Sequence, residues 1–377
     1  MQYTANFWRR LILQSGLLAI ALATAINCAS AAAPVSDSAI QLPTTSEATA
    51  LPVLPASEPA KVTDDTSTVS TVVSAPVNCT SGCRPLDQIW LISTRSLGCA
   101  YERDPSQMPN LTIRQYTEDR RWESATLEQL LAAEQPDVDT CVVVHGNQVD
   151  WGTAINYGMR AYRQATRNLP PDHPVRWIIW SWPSDKERGP IRDARSKAAR
   201  TPSDSIYLGQ FLKKLNPQIP VSLLGYSYGA RISTGALHLL GGGTLAGTTL
   251  GKYPDGHAPY GAVLVAAALD NDWLMEGHAN GRALYVVDRM LLINNHCDAV
   301  LRRYHLLDRC GDNEALGLTG VAGRSPLYDR IRQVDACCNV GKTHSWEAYL
   351  NRNYYGVLMK PYMTTVNKIP VNQITAK

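Results

Sequence analysis

The sequence predicts an α/β fold in which helices cover both faces of a mostly parallel central sheet. Six short apolar runs follow Pro85, and longer segments with helical periodicity alternate with them. The runs lack the apolar–polar alternation of a half-exposed strand, which is typical of strands buried on both faces of a parallel sheet. Repeated strand–helix units of this kind place a ligand site at the carboxyl ends of the strands.

The predicted strands are IWLIS (89–93), CVVVH (141–145), VRWIIWSW (175–182), IPVSLLG (219–225), AVLVAAAL (262–269) and MLLIN (290–294). Helices are predicted over 155–169, 205–215, 231–240 and 298–307. In the second of these, Leu208, Phe211, Leu212 and Leu215 follow i, i+3, i+4 and i+7 spacing. That spacing forms one apolar stripe, as expected of a helix packed on a sheet.

Composition excludes several classes of protein. The 377 residues carry 36 Lys and Arg against 33 Asp and Glu, so there is no basic field for nucleic acid. Only residues 11–26 approach the length and apolarity of a membrane span, which excludes a multi-span protein. The zinc motif H-E-x-x-H, the P-loop and the dinucleotide fingerprint are absent from the sequence. We therefore expect no cofactor and no metal.

The first 76 residues have the composition of a targeting segment and a tether. Residues 1–33 place Arg9 and Arg10 before an apolar run and end in A-x-A cleavage options, which predicts a secretory signal peptide. Residues 34–76 are rich in Ala, Ser, Thr and Pro, which predicts a disordered linker. The folded domain is then 77–377, in a periplasmic or extracellular protein. The alternative is an uncleaved N-terminal anchor, which would associate the protein with the cell envelope.

Cysteine usage agrees with export. Of nine cysteines, Cys28 lies in the predicted signal peptide, which leaves an even number in the mature chain. An even set in an exported protein predicts disulfides, whereas the C-x-x-C pairs of a zinc site are missing. The eight are Cys79, Cys83, Cys99, Cys141, Cys297, Cys310, Cys337 and Cys338.

Neighbouring cysteines limit the pairing. Adjacent Cys337 and Cys338 would strain the peptide between them if they bridged each other. We therefore expect each to pair with a separate partner, most plausibly Cys297 and Cys310, while the other four pair among themselves near the start of the domain. The competing arrangement joins Cys297 to Cys310 and leaves a vicinal pair.

A candidate nucleophile follows the fourth apolar run. Gly225-Tyr226-Ser227-Tyr228-Gly229 lies between a predicted buried strand and a predicted helix. A G-x-S-x-G string in that position is typical of a nucleophile elbow, in which the glycines permit a tight turn that exposes the serine hydroxyl. We take Ser227 as the candidate nucleophile.

The chain order Ser, acid, His restricts the search for partners to residues after 229. His344 lies in a loop beyond every predicted strand, where a mobile base is expected. Asp298 follows the last predicted strand and is the expected acid, with Asp270 and Asp272 as rivals after the preceding strand.

An oxyanion hole needs two backbone N–H groups. One is expected from Tyr228, the residue after the nucleophile. The other is expected from Asn147, or from Gln148 beside it, in the turn after the second predicted strand. His145 in the same turn is expected to be structural and hydrogen-bonded.

With these motifs in this order, residues 86–355 resemble the α/β-hydrolase superfamily. Within it, W-P-S at 182–184, L-D-N-D at 269–272 and N-x-x-D-A-V-L at 295–301 are similar to a bacterial family of largely uncharacterised serine hydrolases. The resemblance implies an α/β-hydrolase fold and catalytic Ser227, Asp298 and His344. The short 270–284 interval leaves little room for a large cap domain.

The expected function is an exported serine hydrolase that forms an acyl-enzyme, with carboxylic esters as the first choice of substrate and thioesters or amides behind them. The partner is then a small-molecule acyl substrate. The competing hypothesis is a non-catalytic envelope protein that uses the same fold as a binding scaffold. Residues 185–200, with mixed charges, are expected to form a solvated surface or a loop over the site.

Overall fold

The computed structural model describes residues 83–100, 103–251, 253–306, 314–350 and 353–365. The predicted signal peptide and linker lie outside these residues, as do Cys79 and Cys310. No helix among the described residues has the length and apolarity needed to cross a membrane.

Nine strands of the described chain form one sheet in the order β11-β10-β9-β6-β4-β5-β1-β2-β3. The pairs from β11 to β1 are all parallel, and β2 and β3 add an antiparallel edge. A separate hairpin joins β7 to β8. The strands are β1 (Gln88–Ser93), β2 (Thr112–Tyr116), β3 (Trp122–Ala125), β4 (Asp139–Val144), β5 (Val175–Ser181), β6 (Val221–Tyr226), β7 (Thr244–Leu245), β8 (Thr248–Thr249), β9 (Tyr260–Val265), β10 (Val287–Asn294) and β11 (Ile331–Asp335).

The helices of the described chain cover both faces of this sheet. They are α1 (Leu127–Ala132), α2 (Trp151–Thr166), α3 (Pro190–Leu212), α4 (Tyr228–Leu240), α5 (Leu316–Thr319), α6 (Cys337–Val340), α7 (Trp346–Leu350) and α8 (Asn353–Met363). The chain reverses its direction across the sheet at β5. Because crossovers between parallel strands are almost always right-handed, the helices before and after β5 are expected on opposite faces. In agreement, α2 packs on α8, whereas α3 packs on α4.

The predicted fold class is confirmed as a mostly parallel α/β sheet with helices on both faces. All six predicted strands are present as β1, β4, β5, β6, β9 and β10. Between β9 and β10, turns and one short 3₁₀ helix, Ala283–Tyr285, occupy a segment that the structure describes throughout, and they form no cap domain.

Two helix predictions are wrong in detail. Residues 298–307 were expected to be helical, but only a 3₁₀ helix, Leu301–Leu306, forms there. The helix predicted over 205–215 begins earlier, because α3 starts at Pro190, after Gly189 at φ 85°. Residues 185–200 are mostly exposed or half-buried, as expected of a solvated surface, but from Pro190 onward they are helical. Proline at the first helical position is favoured because its fixed φ suits a helix and its missing N–H is not needed.

Pro202 lies inside α3, which is why the start of this helix was hard to predict. Proline cannot donate to the carbonyl four residues earlier, here that of Ala198. The hydroxyl of Thr201 donates to that carbonyl at 2.8 Å instead. The lost backbone hydrogen bond is thereby replaced, and the helix continues through the proline.

Two glycines allow α4 to approach the sheet closely. A Cβ atom added at Gly229 would lie 2.0 Å from the carbonyl oxygen of Val144 in β4. One added at Gly225 would lie 2.6 Å from the Cα atom of Ala230 in α4. Both distances are far below van der Waals contact with backbone atoms, so only glycine permits this turn between β6 and α4.

Replacing Gly229 with alanine is therefore expected to lower the free energy of unfolding by ~2 kcal/mol or more, because backbone must move to relieve the clash. Urea denaturation followed by circular dichroism measures this change. Gly98→Ala is the matched control, since no atom lies within 4 Å of its added Cβ. Equal stability of the two variants would show that the β4–α4 contact is not tight.

Candidate active site

Ser227 occupies the turn between β6 and α4 with a strained backbone. Its φ of 54° and ψ of −119° lie in a region that non-glycine residues seldom adopt, and such strain is typical of functional sites. The turn is held because the Ser227 N–H donates to the Val265 carbonyl at 3.0 Å. Its own carbonyl accepts from the N–H groups of Ala230 and Ala268. The side chain is thereby fixed at the carboxyl end of the central strand.

The three predicted side chains Ser227, His344 and Asp298 form one hydrogen-bonded chain. The Ser227 Oγ atom lies 3.0 Å from Nε2 of His344, and Nδ1 of His344 lies 2.6 Å from Oδ2 of Asp298. The Asp298 side chain is fully buried and that of His344 is 16% exposed. This arrangement leaves one imidazole nitrogen for the serine and fixes the other on a carboxylate.

Asp298 has two roles, one for each carboxylate oxygen. Oδ1 accepts from the backbone N–H groups of Val300 at 2.8 Å and Leu301 at 3.0 Å, at the start of the 3₁₀ helix. Oδ2 is directed at His344. Capping therefore orients the carboxylate so that its second oxygen meets the imidazole.

The rival acids Asp270 and Asp272 are bound elsewhere. Oδ1 of Asp270 accepts from the hydroxyl of Tyr304 at 2.8 Å. Oδ2 of Asp272 lies 3.0 Å from Nδ1 of His278. The carboxylate that meets His344 therefore follows β10 and not β9.

A disulfide joins the loop that carries the acid to the segment that precedes the histidine. Cys297, beside Asp298, is bonded to Cys337, with their Cα atoms 5.3 Å apart. This half of the predicted cross-link is confirmed. The expectation that Cys338 also pairs, with Cys310, is wrong, because the thiol of Cys338 is free and exposed.

The expectation that the four N-terminal cysteines pair among themselves is wrong for Cys99, whose thiol is free, and for Cys141. The Cys141 thiol is buried in the middle of β4 and donates to the Met363 carbonyl at 3.0 Å. Burial also raises the pKa of this thiol far above its ordinary value. A cysteine on a central strand has no room for a partner, and its apolar neighbours Val142 and Val143 were the signal for this.

Hydrogen bonds reinforce the same loop-to-loop contact. The side-chain amide of Asn295 donates to the Gly341 carbonyl at 2.8 Å. The N–H of Ala299 donates to the Lys342 carbonyl at 3.1 Å. The segments that carry Asp298 and His344 are therefore held together by hydrogen bonds from residues on both sides of Cys297.

Among the described residues, one group of three side chains has the atoms and the spacing to ligate a metal ion. It consists of His296, Cys297 and Cys337. Both cysteines are in the disulfide, so neither offers a thiolate. Zinc binding requires deprotonated sulfur, and this group does not supply it.

Tyr226 contacts the histidine from the strand side, and the sequence analysis did not single it out. Its ring centroid lies 5.4 Å from that of His344 and 4.8 Å from that of Trp346. Its hydroxyl donates to the His344 carbonyl. Burial raises the pKa of Tyr226, which keeps the phenol protonated as a donor. Its place directly before the serine was the available signal.

His145 is structural, as predicted. Its Nε2 accepts from the N–H of Trp182 at 3.2 Å, which places the proton on Nδ1, and Nδ1 donates to the Gly146 carbonyl. The Trp182 indole N–H donates to the His145 carbonyl at 2.8 Å, and the two rings stack. Trp180 and Trp182 are both fully buried, so they pack in the core.

The turn after β4 lies against Ser227. A Cβ atom added at Gly146 would lie 3.0 Å from the Ser227 Cβ, so the backbone of the turn passes directly beside the serine. The side-chain amides of Asn147 and Gln148 both donate to Oδ2 of Asp193 at 2.9 Å. Asp193 is a buried residue of α3 that sequence reasoning missed, and it anchors this turn.

Tyr228, the other predicted oxyanion donor, is the first residue of α4, where backbone N–H groups point out of the helix start. Its phenol donates to the Ala194 carbonyl in α3 at 3.0 Å. The beginnings of α3 and α4 are therefore joined next to Ser227.

Neither a protein-family model nor a curated protein matches this chain. Among solved structures, an acetylxylan esterase is 12% identical with a TM-score of 0.31, and the match covers 60% of this chain and 99% of the esterase. Esterase B from Lactobacillus rhamnosis is 11% identical with a TM-score of 0.35, and the match covers 75% of this chain and 89% of the esterase B chain. Such remote likenesses say nothing about the substrate of this chain.

Burial lowers the pKa of His145 to about 3. His145 therefore stays neutral in the folded protein at pH values where the same side chain in the unfolded chain, with a pKa near ~6.5, binds a proton. We expect the free energy of unfolding to fall below that pH, by up to about 1.4 kcal/mol per pH unit from this group.

Histidine NMR resonances followed from pH 8 to 4.5 test this prediction. The His145 signals should stay those of a neutral Nδ1–H ring in folded protein and titrate near ~6.5 in urea. Titration of His145 in the folded state above pH 5 would contradict the prediction.

Proposed function

We propose that this protein is a serine hydrolase that acts on carboxylic esters through a covalent acyl-enzyme. The observation that supports it is the hydrogen-bonded chain from Ser227 through His344 to the buried Asp298, with distances of 3.0 and 2.6 Å. The strained turn at Ser227 is a second support, because strain of this kind persists where a side chain must be presented in one direction.

In the proposed reaction, the Ser227 Oγ attacks the ester carbonyl carbon while its proton passes to Nε2 of His344. Asp298 stabilises the imidazolium that forms. The carbonyl oxygen becomes an oxyanion, which accepts hydrogen bonds from the N–H groups of Tyr228 and Asn147. His344 then gives the proton to the leaving alkoxide, which departs as an alcohol.

The acyl group remains on Ser227 as an ester. Water attacks this ester, with Nε2 of His344 now accepting a proton from the water. The second tetrahedral intermediate collapses to a carboxylic acid and returns the proton to Ser227. The sum of the two halves is hydrolysis of one ester bond, and no cofactor takes part.

We place the reaction outside the cytosol, in the periplasm or beyond the cell. The signal-like composition of residues 1–33 supports export. The Cys297–Cys337 bond supports an oxidising compartment, because structural disulfides are rare in reducing ones.

Covalent labelling by a fluorophosphonate tests the proposal against a non-catalytic scaffold. We expect the probe to modify Ser227, with labelling and hydrolysis of p-nitrophenyl esters lost in Ser227→Ala and circular dichroism unchanged. Ser233→Ala, on the following helix, is the matched control and should retain both. An unlabelled wild-type protein would favour the binding scaffold, and a label elsewhere would mean another nucleophile.

Asp298→Asn is expected to lower kcat by about 10³-fold or more, because the amide favours the wrong tautomer of His344. Steady-state hydrolysis of p-nitrophenyl acetate measures the change. Asp270→Asn is the control, because that carboxylate bonds Tyr304 and does not meet the histidine. A larger loss of kcat in Asp270→Asn than in Asp298→Asn would mean that the acid follows β9 and not β10.

Removing the disulfide with Cys297→Ser and Cys337→Ser is expected to slow fluorophosphonate labelling by about tenfold, since the acid and base then lose their register. The melting temperature should fall by only a few degrees, because the Asn295 and Ala299 hydrogen bonds still join the two segments. Cys99→Ser, which removes an unbonded thiol, is the control. Unchanged labelling would limit the bond to a purely stabilising role.

A further inference from the structure

A cavity of about 660 Å³ collects four arginines: Arg84, Arg160, Arg163 and Arg167. Ligand sites in proteins commonly have volumes of this order. Among the described residues that line it, none is acidic. The cavity is open to solvent and concentrates positive charge, although the whole chain is close to neutral.

The cavity is separate from the proposed active site. Arg84 precedes β1, and Leu169 and Pro171, which also line the cavity, precede β5. β1 and β5 are parallel, so these residues lie at the amino ends of the strands. Ser227 and Asp298 follow the carboxyl ends of β6 and β10. A ligand in the cavity is therefore at the opposite edge of the sheet from the serine.

Three of the arginines share one face at the end of α2. Arg160, Arg163 and Arg167 are spaced i, i+3 and i+7, which places like charges next to each other. The C-terminal dipole of α2 favours cations in the last turn, yet this does not account for Arg160 or Arg84. Two of the four arginines are close to a carboxylate outside the lining: Glu347 lies 3.7 Å from Arg160, and Asp87 lies 3.8 Å from Arg84.

Arg84 is held rigidly at one side of the cavity. Its Nη2 donates to the carbonyls of Pro170 and His173, each at 2.6 Å, which fixes the guanidinium. Its Nη1 is buried, so the guanidinium contributes its position and its charge to the wall of the cavity, and the hydrogen bonds to a ligand fall to the arginines of α2.

Apolar side chains form another part of the wall. They include Pro85, Leu169 and Leu350. A ligand that satisfies both parts needs a multiply charged oxyanion and a compact apolar body. Phosphate is such an oxyanion, because its oxygens match the planar donor geometry of several guanidinium groups. Its second negative charge balances more of the positive charge in the cavity than a carboxylate would.

We propose that this cavity binds a small organic phosphate monoester, with the phosphate on the arginines and the organic group on the apolar wall. The site is independent of the proposed hydrolysis. Binding there involves no covalent step.

Calorimetric titration of the full chain with phenyl phosphate at low ionic strength tests the proposal. We expect saturable binding at one site, with inorganic phosphate weaker because it lacks the apolar body. The double variant Arg163→Gln with Arg167→Gln should raise the Kd by about tenfold or more. Arg121→Gln with Arg324→Gln removes two charges from other exposed positions and should change the Kd less than about twofold.

Equal weakening in the two double variants would mean attraction to overall charge and would overturn the proposal. Phenyl phosphate bound no more tightly than inorganic phosphate would also overturn it. Ser227→Ala should bind phenyl phosphate as the wild type does, and a loss there would place the ligand at the serine. Fluorophosphonate labelling of the arginine variant reports on the hydrolase separately, so either proposal can fail alone.

Discussion

The contact between the first turn of α4 and the end of β4 is the constraint on which the rest of the site depends. Because Gly229 has no side chain, the helix start lies against the carbonyl of Val144. This brings the turn after β4 alongside Ser227 and fixes the positions of the two proposed oxyanion donors. The backbone of Ser227 is strained in the same turn, and the hydrogen bonds to β9 and to the turn that follows it hold this conformation.

The histidine reaches this turn from far along the chain and is held by three kinds of interaction. Asp298 orients its ring, Tyr226 contacts its ring and its carbonyl, and the Cys297–Cys337 bond fixes the segment before it. Each of the three restrains a different part of the loop. Together they give a long loop the precision that strands normally supply.

The buried strands and the Ser, Asp and His positions were predictable because each has a local pattern. Strands β2, β3 and β11 were missed because they are short, half-exposed and polar, so they carry no apolar run. Asp193 was missed because its neighbours are charged, and its burial arises only when α3 packs beside the turn after β4. Tyr226 and Asp193 act through contacts between residues far apart in sequence, which no local spacing encodes.

The buried thiol of Cys141 bears on how the chain oxidises. It sits between β6 and the end of α8, where it meets the hydroxyl of Ser222 and the carbonyl of Met363. A thiol reacts as the thiolate, and burial suppresses that form here. Once the central strands have paired, this sulfur is withdrawn from thiol–disulfide exchange. Assembly of the sheet before oxidation therefore reduces the number of wrong cysteine pairings open to the chain.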